Sequence, residues 1–102
     1  MKGYQLKYST MAMADIVQLS SFVASKCSSE FVKQYISRLR TEIEVLSYLA
    51  DAMAKSKYRL PKMYHPDAKT YSVGNKKLTV IFHIEDEYVL VDKILPSSMI
   101  TY

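Results

Sequence analysis

A chain of 102 residues with net charge +4, 49% hydrophobic content, two glycines and three prolines is long enough for one domain with its own core and too rich in core-forming residues for a linker. The lone Cys27 excludes an internal disulfide and points to the cytoplasm; no apolar run approaches the ~20 residues of a membrane span, and the start Met1-Lys2-Gly3-Tyr4 does not read as a signal core. Charge is unevenly placed, because residues 55–77 hold seven of the 14 Lys and Arg against one acid, Asp67, while the flanking segments are balanced or acidic.

Tyr4, Leu6 and Tyr8 alternate with polar residues, the period of a strand with one buried face. Ser9 or Thr10 then caps a predicted helix whose apolar stripe is Met13, Ile16, Val17, Leu19, Phe22 and Val23, ending near Lys26 and Cys27. Ser28 and Ser29 open a second, longer helix with Val32, Tyr35, Ile36, Leu39, Ile43, Leu46, Leu49, Ala50 and Met53 on its stripe. So short a break between two helices predicts an antiparallel hairpin. Leu60-Pro61 is read as the end of helix, with Lys62 to His65 and Lys69 to Val73 as short strands around Pro66-Asp67. Gly74-Asn75 suits a two-residue hairpin turn, followed by a strand from Leu78 to Ile84. After the turn Glu85-Asp86-Glu87, Tyr88 to Leu95 is apolar on both faces and reads as a central strand that Pro96-Ser97-Ser98 ends. The expected fold is therefore α+β in one domain, residues 1–102: an N-terminal strand, an antiparallel helical hairpin, then an antiparallel meander, four or so strands in all, with the hairpin on one face.

Lys55, Lys57, Arg59, Lys62, Lys69, Lys76 and Lys77 are predicted to form one patch for an acidic protein or a nucleic acid, against the plainer alternative of a solvated face. Within the same segment His65 is a candidate contact for a phosphate or a partner carboxylate, whereas His83, between Phe82 and Ile84, reads as structural. No spacing of His, Cys or acids suggests a metal, and Cys27 has no nearby base to make it a nucleophile. No glycine-rich phosphate loop or catalytic series is visible, so no cofactor is expected. Tyr58, Tyr64 and Tyr71 interleave with the bases, as base-stacking or interface residues do, though strand packing explains them equally. Met11, Met13, Met53, Met63 and Met99 read as flexible filler of a core or a partner groove.

This element order, with YQLKYSTMAMADI leading the first strand into a helix through Ser9, Ala12 or Ala14, and Asp15, resembles the RelE/ParE toxins of bacterial type II toxin–antitoxin systems. A second stretch, YSVGNKKLTVIFHIEDEYVLVDKIL, resembles the family's middle hairpin, acidic turn and final hydrophobic strand. The resemblance implies a cognate antitoxin with an acidic, partly disordered segment, a hetero-oligomer with it, and one of two targets: DNA gyrase, or the ribosome with its mRNA. For an mRNA endonuclease it would carry roles onto Lys55, Lys57, Arg59 and Tyr102. However, Lys76 and Lys77 stand where an arginine is expected, and Leu95-Pro96-Ser97-Ser98-Met99 contains no base to act as the late acid. Loss of a general acid removes ~10²- to 10⁴-fold. The resemblance thus favours the ParE-like, gyrase-binding branch, with the basic connector and Pro96 to Tyr102 as contact regions. Without the resemblance, the residues leave a nucleic-acid-binding or adaptor domain.

Overall fold

The computed structural model describes residues 3–100, in which the alternating stretch at the start forms β1 (Gln5–Tyr8) and Ser9 then caps α1 (Thr10–Ala24). Ser9 is extended and its hydroxyl accepts from the Ala12 N–H, which satisfies a donor the first turn leaves unpaired. Ser28 repeats the device for α2 (Ser29–Glu44), accepting from the Phe31 N–H. The two helices form the expected hairpin.

The second helix does not run unbroken to Met53. It tightens at Val45, whose N–H reaches the Glu42 carbonyl, and continues as α3 (Leu46–Leu49) and a 3₁₀ turn (Ala50–Ala52). The tightening directs Leu46 and Ala50 fully into the core and offers the Ser47 carbonyl to the Tyr4 N–H at 2.8 Å, which ties the start of β1 to the helical layer.

Pro61 does not end the helical half. It lies inside a short helix, α4 (Arg59–Lys62), where a first turn has no use for the missing N–H, and its ring is fully buried. The predicted strand Lys62 to His65 is accordingly absent; those residues belong to α4 and the turns after it, and the sheet resumes only at β2 (Lys69–Val73). The turn to β3 (Leu78–Glu85) takes four residues, not two: Gly74, Asn75 and Lys76 all have φ near +60°, and the carboxylate of Glu42 receives the Gly74 N–H at 2.8 Å. Asp86, also left-handed, turns the chain into β4 (Tyr88–Pro96), which a 3₁₀ turn (Ser97–Met99) closes.

The sheet order is β1-β4-β3-β2. β2, β3 and β4 form the antiparallel meander, and β1 adds to β4 in parallel, Leu6 opposite Val89 and Tyr8 opposite Val91. This is the α+β arrangement expected. Alternation gives each face its own core: Val80, Phe82, Val89, Val91 and Ile94 pack with Ala12, Leu39, Ile43 and Leu46 of the helices, while Ile81 and Leu95 pack on the second face with Ala68 and Ile100, alongside Leu60 and Tyr64. The connector, residues 53–68, therefore reaches the second face of the sheet through Leu60, Tyr64 and Ala68.

β4 carries one extra residue against β3, because Ile81 faces Lys93 and Phe82 faces Val91, leaving Asp92 as a bulge. The bulge lies where β1 stops. Past it, the edge of β4 is covered by α1: the Ser9 hydroxyl donates to the Asp92 carbonyl at 2.7 Å, and the buried Asp15 carboxylate accepts from the Ile94 N–H at 3.0 Å and from Lys93 Nζ at 2.7 Å. Removing one partner of a buried, hydrogen-bonded pair costs about 3–5 kcal/mol. Asp15→Ala is expected to lower the urea-unfolding free energy by about that amount, and Asp15→Asn, which keeps an acceptor for the Ile94 N–H, by clearly less.

Candidate functional site

The seven basic side chains of residues 55–77 fall into two groups instead of one patch. Lys55 and Lys69 pair as an isolated bridge at the start of β2, whereas Lys76 and Lys77 sit in the turn beyond its other end, about 17 Å away at ~3.4 Å per strand residue. There Lys77 lines a depression with Tyr35, Arg38 and Glu42 of α2. The expectation failed because a strand separates its own two ends, and sequence proximity within a hairpin says nothing about which end a residue occupies.

Within the first group two of the five bases are engaged. Lys55 Nζ lies 3.0 Å from the Asp67 carboxylate, and this ammonium beside it holds the Asp67 carboxyl below its ordinary range. Lys69 Nζ donates to the Ala50 carbonyl at 3.1 Å. Lys57, Arg59 and Lys62 are exposed and, among the described residues, make no ion pair, so they are the free cations of this end. Tyr102 lies outside the described residues, and of the C-terminal segment Met99 is exposed while Ile100 packs into the second core.

His65 is not directed at a charged partner in solvent. Its ring stacks on that of His83, with centroids 3.8 Å apart and planes 3° from parallel. His83 is buried, its Nδ1 2.7 Å from Asp92 and its Nε2 3.5 Å from Glu85. Thus the second face of the sheet presents two acids around a histidine pair, where a phosphate-cleaving site would need converging cations. No group of three or more His, Cys, Asp or Glu among the described residues could hold a metal ion.

The largest departure from the sequence reading is on α1. Of the predicted stripe, Ile16 and Leu19 pack against the core, but Met13 is 57% and Val17 64% exposed, as is Phe22 on the other flank; the inward positions are Ala12 and Asp15 instead. A buried aspartate shifts the apparent hydrophobic face, since Asp15 faces inward to meet the edge of β4 and the larger apolar residues are turned outward. The available signal was composition: Thr10 to Ala24 contains a single charged residue, and a helix apolar around most of its circumference needs a second surface to cover it.

Met13 and Val17, with Leu6, Tyr8, Ile16 and Arg40, line one groove, and Val32, Ile36, Lys33, Glu44 and the same Arg40 line the next, of about 590 Å³. Arg40 lines both, and the pair forms a channel in two parts flanked by α1 and α2 and, at the first part, by the edge strand β1. Its charges are Lys7, Lys33 and Arg40 against Glu44. Arg40 lies over the Tyr8 ring at 5.6 Å, and burial raises the Tyr8 phenol above its usual range against the opposing influence of this guanidinium. An apolar floor with a positive rim is a surface for an acidic, amphipathic segment. No helix among the described residues is long and apolar enough to cross a membrane.

No family model and no curated protein matches this chain. A solved structure, "Chromosomal ParDE TA system from P. aeruginosa", is similar to it with a TM-score of 0.74 and 14% identity, over 91% of this chain and 95% of that one. The likeness spans nearly all of both chains and shows that they share a fold.

Proposed function

We propose that this chain is the toxin of a type II toxin–antitoxin pair, that a cognate antitoxin neutralises it by filling the channel between α1 and α2, and that it arrests growth by binding DNA gyrase in the cytoplasm. The observation that carries the reading is the combination of a ParE-like fold over 91% of the chain with an uncovered apolar helix face on that fold. A segment that is acidic and folds on binding suits the channel, because the rim of Lys7, Lys33 and Arg40 attracts it and Met13 and Val17 supply apolar area.

The choice of gyrase over RNA cleavage rests on the second face of the sheet. Asp67 engages Lys55, the Ala50 carbonyl engages Lys69, and Asp92 and Glu85 flank His83, so of the cationic groups on this side these three are already compensated. The exposed Lys57 and Arg59 favour the second reading, a ribosome-dependent mRNA endonuclease with these as its charge stabilisers. Either way no cofactor is required.

Two experiments separate these readings. Met13→Glu and Val17→Asp, both at exposed positions, are expected to change folding stability by no more than about 0.5 kcal/mol yet weaken binding of the protein encoded beside this gene at least about tenfold, with loss of rescue on co-expression. Unchanged rescue would remove the channel from the interface. Purified chain is expected to inhibit gyrase supercoiling and leave mRNA on translating ribosomes intact. Codon-positioned cuts that disappear in Lys57→Ala or Arg59→Ala, with supercoiling untouched, would establish the nuclease instead.

A further inference from the structure

Lys77, one of the bases that the connector does not gather, lines a pocket of about 370 Å³ between α2 and the β2–β3 turn. The apolar side chains at its base are Leu39 of α2 and Leu78 of β3, both buried, with Tyr35 beside them. Arg38 and Lys77 stand exposed at its rim, and among the described residues neither makes an ion pair. The one acid in the lining, Glu42, is committed to the fold. Its carboxylate accepts the Gly74 N–H at 2.8 Å and so pins a turn in which Gly74, Asn75 and Lys76 are all left-handed. The far end of that turn is fastened too, since the Lys77 N–H donates to the Gly74 carbonyl and the Lys77 carbonyl accepts from the Ser97 N–H. Backbone that carries Lys77 is thus held in place before any ligand arrives, which lowers the ordering cost of binding.

The pocket is linked to the α1–α2 channel across the exposed surface of α2. An open depression lined by Lys33, Gln34, Ser37 and Arg38 shares Arg38 with the pocket, and Lys33 and Ser37 with the channel. Lys33, Arg38 and Lys77 therefore mark a cationic track from one to the other. We propose that the acidic segment of the partner protein does not end in the channel but crosses α2 along this track and anchors in the pocket, a carboxylate between Arg38 and Lys77 and a neighbouring apolar side chain over Leu39 and Leu78. This inference rests on the channel being the partner's seat. A guanidinium takes a carboxylate side-on through two N–H groups, and Lys77 adds a point charge. A nucleic acid fits less well, because its phosphates would meet the Glu42 carboxylate as well as the cations. A helix is about 10–12 Å across with its side chains, so an extended chain crosses α2 in on the order of three to four residues.

The test uses the full chain and the full-length protein encoded beside its gene. Arg38→Glu and Lys77→Glu, both at exposed positions, are expected to leave the unfolding midpoint unchanged and to weaken binding about five- to tenfold each at ~0.1 M salt, with the loss shrinking toward ~1 M. Lys26→Glu, the same charge reversal at the hairpin tip, is the control and is expected to change affinity less than about twofold. In the unsubstituted complex the Lys77 amide resonance is expected to shift on binding, a readout that stands even if a variant fails to fold. Pocket variants no weaker than the control, or a Lys77 amide that does not move while Met13→Glu abolishes binding, would overturn the pocket anchor and leave the channel in place. Full binding by Met13→Glu with loss in Arg38→Glu would remove the channel and the crossing from it. No binding by the unsubstituted chain, or binding of plain RNA or DNA that is lost in Arg38→Glu, would overturn the partner reading together with this one.

Discussion

Asp15 holds the helical layer to the sheet at the one place where the sheet would leave a central strand uncovered. β1 is only four residues long, so it pairs with β4 from Tyr88 to Val91 and no further. Beyond that point the Ile94 N–H faces away from β3, and the buried Asp15 carboxylate receives it along with Lys93 Nζ. A buried charge is tolerable only when so matched. The consequence reaches the surface: α1 must face inward through Asp15 and Ala12, and Met13 and Val17 turn to solvent as a result. The channel proposed to receive a partner is thus a by-product of how the sheet edge is closed.

The bulge at Asp92 joins the two faces of the sheet. Its carbonyl receives the Ser9 hydroxyl at the start of α1, and its carboxylate holds His83 on the opposite side. From His83 the contacts continue through the stacked His65 to Asp67 and Lys55. A polar path of short contacts therefore runs from the first helix cap to the basic connector. Because the extra residue in β4 re-aims these groups, the bulge is part of the architecture of both surfaces.

The electrostatics of the chain look different once the fold is in place. A local excess of seven bases over one acid suggested an open cationic patch, yet Asp67, Asp92 and Glu85 collect around the histidines on the same face as the connector, and Lys76 and Lys77 are carried to the far end of β2. What remains free near the connector is Lys57, Arg59 and Lys62, a smaller, exposed cationic edge. Such an edge suits docking on an acidic surface better than it suits holding a phosphate at fixed geometry.

Local pattern in the sequence determined the elements whose cause is local. Ser9 and Ser28 cap helices because a hydroxyl reaches the third N–H onward; β3 and β4 alternate or stay apolar according to burial; Gly74 marks a turn because it accepts a positive φ. The run Ser9, Ala12 or Ala14, and Asp15 stood out as part of the resemblance, although its meaning did not, since the Ile94 N–H that Asp15 serves lies 79 residues away. Tertiary structure alone decided the parallel seat of β1, the inward face of α1, the burial of Pro61 in a short helix and the meeting of His65 with His83. Each of these depends on which distant backbone or ring a side chain finds, and periodicity reports the spacing of apolar residues along one element, not the identity of the surface that element meets.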